Sequence, residues 1–138
     1  MRNLINKFKK KYQNNNEDIK LAKSPLRICP LGAHVDHQEG LVTGMALDSS
    51  VDMVFAPNND GYIRVQSLDF PDEEYFHVDN VPEMIPGFWG NYLRGAVLSL
   101  QRDFLITKGF NAIISGELPI GGLSSSAAGN YGLSAGPL

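Results

Sequence analysis

The sequence lacks several features that would assign it to common protein classes. Its single cysteine, Cys29, excludes an internal disulfide and any zinc site built on paired cysteines. No run approaches the roughly 18 apolar residues of a membrane-spanning helix, and the basic N-terminus lacks the apolar core of a secretory signal. The net charge of -3 argues against a nucleic-acid surface. We therefore expect no nucleic-acid or membrane partner, and a reducing, cytoplasmic location.

What the chain does contain is enough apolar sequence for one folded domain, with 138 residues of which 43% are hydrophobic. Near the N-terminus four apolar residues recur at helical spacing: Leu4, Ile5, Phe8 and Tyr12. They predict a short amphipathic helix with a solvated lysine face, for which a membrane-surface or targeting role is the alternative. We assign this helix and a polar loop to residues 1–22, apart from the domain in residues 23–138.

The rest of the chain alternates between strand-like and helical patterns. Residues 41–61 predict two strands that end in a turn, and residues 62–70, 73–81 and 110–119 predict one strand each. Between the last two, apolar residues recur three or four apart and predict a helix that stops at Gly109: Trp89, Leu93, Val97, Leu100 and Phe104. The pattern indicates an α+β fold whose first half is rich in antiparallel strands.

The segment GELPIGGLSSSAA, residues 116–128, is the most specific motif. A glycine-rich turn that leads into a helix start presents unpaired N–H groups, which favour a phosphate group. Three successive serines add donors and can offer an oxygen to Mg²⁺. The segment is neither the common Gly-Lys-Ser/Thr phosphate loop nor a dinucleotide fingerprint. A flexible Ser/Gly linker is the alternative interpretation.

Within that segment, the pattern P-x-G-G-L-S-S-S-A-A at 119–128 resembles the phosphate loop of the GHMP kinases, which include galactokinase and mevalonate kinase, although it is one small residue shorter. The resemblance implies an N-terminal GHMP kinase domain (ribosomal protein S5 domain 2-like) with a mixed β-sheet, helices on one side, and ATP and Mg²⁺ as cofactors. It implies these ATP-binding residues, with Ser126 also at the metal: Gly121, Gly122, Leu123, Ser124, Ser125 and Ser126.

A second stretch, PLRICPLGAHVDHQEG at 25–40, resembles the sugar-binding signature of galactokinases. Five residues match that signature in register: Arg27, Gly32, His34, Asp36 and Gly40. The segment WGNYLRG also resembles the galactokinase sequence before the long helix, so the likeness spans about residues 23–128. It implies an enzyme that transfers the γ-phosphate of ATP to the anomeric hydroxyl of a sugar.

Position 33 departs from the galactokinase pattern, because Ala33 replaces a glutamate that accepts a hydrogen bond from the sugar's 6-hydroxyl. A substrate with a carboxylate at C6 would be repelled by that glutamate, by about 4 kcal/mol at 4 Å and an effective dielectric near 20. The stretch also resembles galacturonate kinases, and His34 could donate to the C6 carboxylate. Galacturonate and galactose both remain possible substrates, the second as in galactokinase proper.

The resemblance implies roles for further residues. Asp36 would accept hydrogen bonds from the C3 and C4 hydroxyls, and Arg27 would act as a catalytic residue near the C1 hydroxyl and the γ-phosphate. His37 is interpreted as structural rather than catalytic. Trp89 and Tyr92 would either stack beside the nucleotide base or pack in the core, and both interpretations remain open.

Kinases of this family have two domains and carry their catalytic aspartate well beyond the position that corresponds to residue 138. We therefore expect these residues to be a truncated N-terminal portion without the C-terminal domain, and to show little or no turnover alone. A catalytically inactive remnant that binds sugar or nucleotide is the alternative from outside the enzyme class.

Overall fold

The computed structural model of the chain describes residues 2–13, 18–32 and 38–117. In these ranges the chain forms two helices and five strands. Their order is α1 (Arg2–Tyr12), β1 (Lys20–Ile28), β2 (Met45–Asn58), β3 (Tyr62–Ser67), β4 (Glu73–His77), α2 (Asn91–Leu100) and β5 (Gly109–Gly116).

The five strands form one sheet in the order β1-β2-β5-β3-β4. Three neighbouring pairs are antiparallel, namely β1 with β2, β2 with β5 and β3 with β4. The fourth pair, β3 with β5, is parallel. The sheet is therefore mixed, and the predicted α+β class with a mixed sheet is confirmed.

Both faces of the sheet are buried near its centre because successive side chains of a strand point to opposite sides. Met53 and Phe55 of β2 join a core that includes Leu93 and Val97 of α2. On the other face, a smaller cluster joins α1 to β2 and β5: Leu4, Phe8, Val54, Ala56 and Ile113. The two described helices thus lie on opposite faces of the sheet, α2 on one and α1 on the other, whereas the resemblance implied helices on one side.

The N-terminal helix is fixed to the sheet by a half-buried phenol as well as by apolar packing. The Tyr12 hydroxyl lies 3.2 Å from the carbonyl oxygen of Ala112 and 3.4 Å from that of Arg64. Burial, together with the negative charge of Glu73, holds the pKa of Tyr12 well above its ordinary value. Strand β1 starts at Lys20, so it crosses the proposed boundary between residues 22 and 23, and that division stays a prediction.

The predicted pair of strands in residues 41–61 is wrong in number, because this part of the chain forms the single long strand β2. One edge of β2 pairs with β1 from Met45 to Phe55 and the other pairs with β5 from Val51 to Asn58. Two partners that pair with different parts of β2 therefore support one continuous strand over its whole length. The strands predicted at 62–70, 73–81 and 110–119 are present as β3, β4 and β5.

The predicted helix is also shorter than its apolar spacing suggested. Helix α2 ends at Leu100, and Phe104, expected on its buried stripe, is 51% exposed. Gly109 does not stop the helix but begins β5. A Cβ atom at Gly109 would lie 2.0 Å from the carbonyl oxygen of Tyr62, so the close approach of β5 to β3 requires glycine there.

We predict opposite effects of alanine at two glycines of this region. Gly109→Ala should lower the free energy of unfolding by about 1–3 kcal/mol, the usual cost of overpacking. Gly95→Ala should raise it by up to about 1 kcal/mol, since Gly95 lies inside α2 with no atom within 4 Å of an added Cβ. Urea titrations of both variants measure the two values, and a stable Gly109→Ala variant would show that β5 can move away from β3.

Candidate functional site

The sheet topology brings the ends of β1 and β5, the strands that precede the predicted sugar and phosphate segments, to the same end of β2. Strands β1 and β5 both run antiparallel to β2, so both finish towards its N-terminal end, where Ile28 pairs with Met45 and Gly116 with Val51. The chain after β1 carries the sugar signature, and the chain after β5 carries the predicted phosphate loop. The two motifs therefore leave the sheet on either side of one strand.

Arg27 lies in β1, opposite Ala46, on the part of the β1–β2 ribbon that extends past β5. Measured along β2 from Ala46 to Val51, it is roughly 17 Å beyond the last residue paired with β5. The ladder shifts register between Pro25 and Arg27. Such a bulge twists a strand and redirects its side chains, here at the predicted catalytic arginine, which is exposed.

The base of the signature loop is closed by hydrogen bonds between Leu31 and Thr43. The Leu31 amide donates to Thr43 Oγ1 at 3.0 Å, and the Thr43 amide donates to the Leu31 carbonyl oxygen at 3.0 Å. Gly32 follows with a φ of 84°, and a Cβ there would lie 2.4 Å from the carbonyl oxygen of Leu41. This matched glycine is therefore required by both backbone conformation and close approach.

Most residues predicted to contact the sugar or the phosphates lie outside the described residues. These are Ala33, His34 and Asp36, the neighbouring His37, and the loop residues Gly121, Gly122, Leu123, Ser124, Ser125 and Ser126. Of the predicted site residues, the structure describes Arg27, Trp89 and Tyr92.

The end of β5 is held by two carboxylates that the sequence motifs did not reveal. Glu117 Oε2 accepts from the Ser50 amide at 2.9 Å, and the Glu117 amide donates to the Ser50 carbonyl oxygen at 3.0 Å. Asp69 Oδ2 accepts from the Gly116 amide at 2.7 Å. These contacts fix the direction in which the chain enters the predicted phosphate loop. Glu117 belongs to the GELP segment, but its role in holding the end of β5 becomes visible only from its hydrogen bond with Ser50.

A groove of about 210 Å³ lies beside this strand end, under α1. Its lining combines Lys7 of α1 with Asp52 and Glu117, and Asp52 accepts from the Ser50 hydroxyl at 2.7 Å. The volume is below the roughly 300–1,000 Å³ of ordinary ligand sites, so the groove is too small for a nucleotide. The candidate site is therefore the sheet end between the two motifs.

Trp89 and Tyr92, predicted as alternatives between base stacking and core packing, occupy different environments. Trp89 packs against the α2 core, its indole N–H donates to the Asp72 carbonyl oxygen at 3.2 Å, and its ring lies parallel to Phe70 within 12° at 6.1 Å. Tyr92, in the first turn of α2, is 46% exposed. Trp89 thus has the packing role at least in part, and stacking on a base stays a prediction for both rings.

Neither a metal-binding cluster nor a membrane-spanning helix is present among the described residues. Within residues 2–13, 18–32 and 38–117, no three His, Cys, Asp or Glu side chains cluster closely enough to hold a metal ion. In the same ranges, neither helix has the length and hydrophobicity needed to cross a bilayer.

Comparison with known proteins shows similarity to galactokinases and to a galacturonokinase. The sequence profile of the galactokinase galactose-binding signature matches residues 6–57. The chain is 35% identical to the galacturonokinase of Arabidopsis thaliana over 130 residues, covering 80% of this chain and 31% of that protein. It is 36% identical to the galactokinase of Chloroflexus aggregans over 110 residues, covering 79% of this chain and 28% of that protein. The chain thus spans about a third of the length of these relatives.

Solved structures agree with the sequence relatives. Lactococcus lactis galactokinase, crystallised with galactose, superimposes with a TM-score of 0.86 at 29% identity, over 94% of this chain and 34% of that one. Methanococcus jannaschii mevalonate kinase matches with a TM-score of 0.71 over 86% of this chain and 39% of that one; at 19% identity it supports the fold alone. The fold is therefore that of the GHMP kinases. In sequence the chain is similar to part of the N-terminal region of galactokinases and of a galacturonokinase.

We predict that Thr43→Val opens the base of the signature loop without unfolding the sheet. Valine keeps the shape of threonine but cannot accept from the Leu31 amide. Exchange of that amide proton with solvent should become about tenfold faster, the equivalent of roughly 1.4 kcal/mol. The Leu68 amide, which donates to the Ile114 carbonyl oxygen away from this loop, serves as internal control. Unchanged Leu31 exchange by NMR would mean that the side chain does not close the loop.

Proposed function

We propose that the chain is the N-terminal part of an ATP-dependent sugar-1-kinase that phosphorylates the anomeric hydroxyl of galacturonate. The observation that carries the proposal is that β1 and β5, which pair with the two edges of β2, both finish towards the N-terminal end of β2. A sugar held by the loop after β1 and a triphosphate held by the loop after β5 would thereby face each other. Positioning of this kind is the main contribution of a protein to phosphoryl transfer.

The preference for galacturonate rests on position 33. Ala33 presents no carboxylate, so a C6 carboxylate of the sugar meets no like charge there. His34 would donate to that carboxylate, and Asp36 would accept from the C3 and C4 hydroxyls. Similarity to a galacturonokinase at 35% identity and a galactokinase at 36% identity is nearly equal, so galactokinase proper is the second candidate.

The nucleotide would lie along the predicted phosphate loop, with the Gly121–Ser126 backbone at its phosphates and Ser126 at Mg²⁺. When bound, MgATP supplies the phosphoryl group that is transferred. The exposed ring of Tyr92 at the start of α2 would stack on a flat base. Trp89, which is packed against Phe70 and the core, is the second aromatic residue proposed at the base. A cytoplasmic location, where ATP is available, completes the proposal.

We predict that Ala33→Glu shifts substrate preference from galacturonate towards galactose. The variant is made in a protein of the full length of the relatives, of which this chain is the N-terminal part. The ratio of kcat/KM values should change by about ten- to a thousandfold, because the repulsion amounts to at most about 4 kcal/mol. Ala33→Gln is the matched control, since it adds the same bulk without charge. Equal ratios for the Glu and Gln variants would remove charge at position 33 as the cause of specificity.

We predict that Arg27→Ala in the same protein lowers kcat at least about a hundredfold, the scale of a lost electrostatic donor to the transition state. Arg27→Lys should not restore full activity, since lysine lacks the planar fork. Lys23→Ala, at an exposed position on the same strand, controls for loss of charge. A folded Arg27→Ala variant, judged by circular dichroism, that keeps a normal kcat would leave Arg27 with a structural role only.

A further inference from the structure

The most deeply buried charged pair in the described part of the chain joins β4 to α2. Arg94 Nε donates to Glu74 Oε2 at 2.8 Å and Arg94 Nη2 donates to Glu74 Oε1 at 3.1 Å. Their side chains are only 7% and 3% exposed. By contrast, the arginine–carboxylate pair of Arg64 and Asp60 is 30% and 50% exposed. The buried pair is bidentate, the geometry in which arginine holds a carboxylate most firmly.

The same guanidinium also holds the segment that precedes α2. Arg94 Nη1 donates to the Glu83 carbonyl oxygen, and the guanidinium carbon lies 5.1 Å from the centre of the Phe88 ring. On the other side, Glu74 Oε1 accepts from the Tyr75 amide at 3.2 Å. One charged pair therefore connects β4, residue 83, residue 88 and the first turn of α2.

The backbone between Phe88 and α2 is fitted to this pair. A Cβ at Gly90 would lie 2.1 Å from Glu74 Oε2 and 2.5 Å from a ring carbon of Phe88. Only glycine leaves room for the carboxylate at this position. Trp89 precedes Gly90 directly, and the Tyr92 amide donates to the Trp89 carbonyl oxygen at 3.2 Å. The positions of both aromatic residues thus follow from the packing of Gly90 on Glu74.

Stability alone does not explain this arrangement. Removing two charges from water is costly, and buried ion pairs are often replaceable by apolar residues without loss of stability. Arg94 also lies in the first turn of α2, where the helix dipole disfavours a cation. The pair instead fixes the position of α2 relative to β4. The planar guanidinium of Arg94 can donate to both Glu74 oxygens and to the Glu83 carbonyl oxygen in one orientation only.

We propose that Glu74 and Arg94 are a positioning pair for the nucleotide side of the site: they hold Trp89 and Tyr92 in place through Gly90. Neither residue is proposed to touch the nucleotide. The inference rests on the proposed kinase function for its nucleotide part, whereas the effect on Trp89 is a property of the chain alone. Trp89 is the only tryptophan, so its fluorescence reports on this segment without labelling.

We predict that the double variant Glu74→Leu/Arg94→Met keeps the fold but no longer holds Trp89 and Tyr92 in place. Its thermal midpoint should stay within about 5 °C of the wild-type value, because both charges are removed together. Quenching of Trp89 by acrylamide should at least double, and the affinity for MgATP, titrated by the same fluorescence, should fall about tenfold. Arg94→Lys should weaken MgATP binding as well, since it keeps the charge without the fork.

The matched control is Asp60→Leu/Arg64→Met. It removes the more exposed pair, whose hydrogen bonds and ring contacts involve neither Trp89 nor Gly90. This control should leave both quenching and MgATP affinity unchanged. Wild-type quenching and affinity in the Glu74→Leu/Arg94→Met variant would overturn the inference, and so would wild-type affinity in a folded Arg94→Lys variant. A wild-type chain without a saturable MgATP response, whose variants still alter quenching, would instead overturn the proposed nucleotide site.

Discussion

Hydrogen bonding along both edges of β2 is the constraint on which the other elements depend. β2 pairs with β1 over its N-terminal part and with β5 over its C-terminal part, and the two pairings overlap from Val51 to Phe55. The overlap is the section whose side chains are buried on both faces, by α1 on one and by α2 on the other. The section beyond it is a two-stranded ribbon that carries Arg27 away from the core. Core and candidate site are thus two parts of one strand.

Much of the fold could be predicted because its signals are local. The sequence predicts a strand at residues 62–70, and in β3 every second residue, Ile63, Val65 and Ser67, is buried. The spacing of Leu4 and Phe8 indicated the buried side of α1. The length of β2 and the end of α2 could not be predicted in this way. The length of β2 depends on partners far along the chain, as does the need for glycine at position 109.

The residues of the candidate site can likewise be separated into those with a local sequence signal and those that depend on distant partners. Arg27 and Gly32 could be proposed from the sequence because they stand in a motif with a fixed spacing, and the catalytic role of Arg27 stays a prediction. Asp69, Glu117, Glu74 and Arg94 could not, since each is an ordinary polar residue whose importance arises from a distant partner. An arginine in the first turn of a helix even reads as unfavourable when it is taken alone. Its buried carboxylate, 20 residues earlier on β4, reverses that interpretation.

The position of β5 has a consequence for the order in which the chain can fold. β1 with β2 and β3 with β4 are pairs of consecutive strands, and β5, the last to be synthesised, lies between the two pairs. Until Gly109–Gly116 emerges, the facing edges of β2 and β3 have no partner. At roughly 5–20 residues per second, ribosomal synthesis from Asn58 to Gly116 takes several seconds. Once β4 has also been made, β2 and β3 would each expose an unpaired edge until β5 pairs with them, and unpaired strand edges are sites at which aggregation can begin.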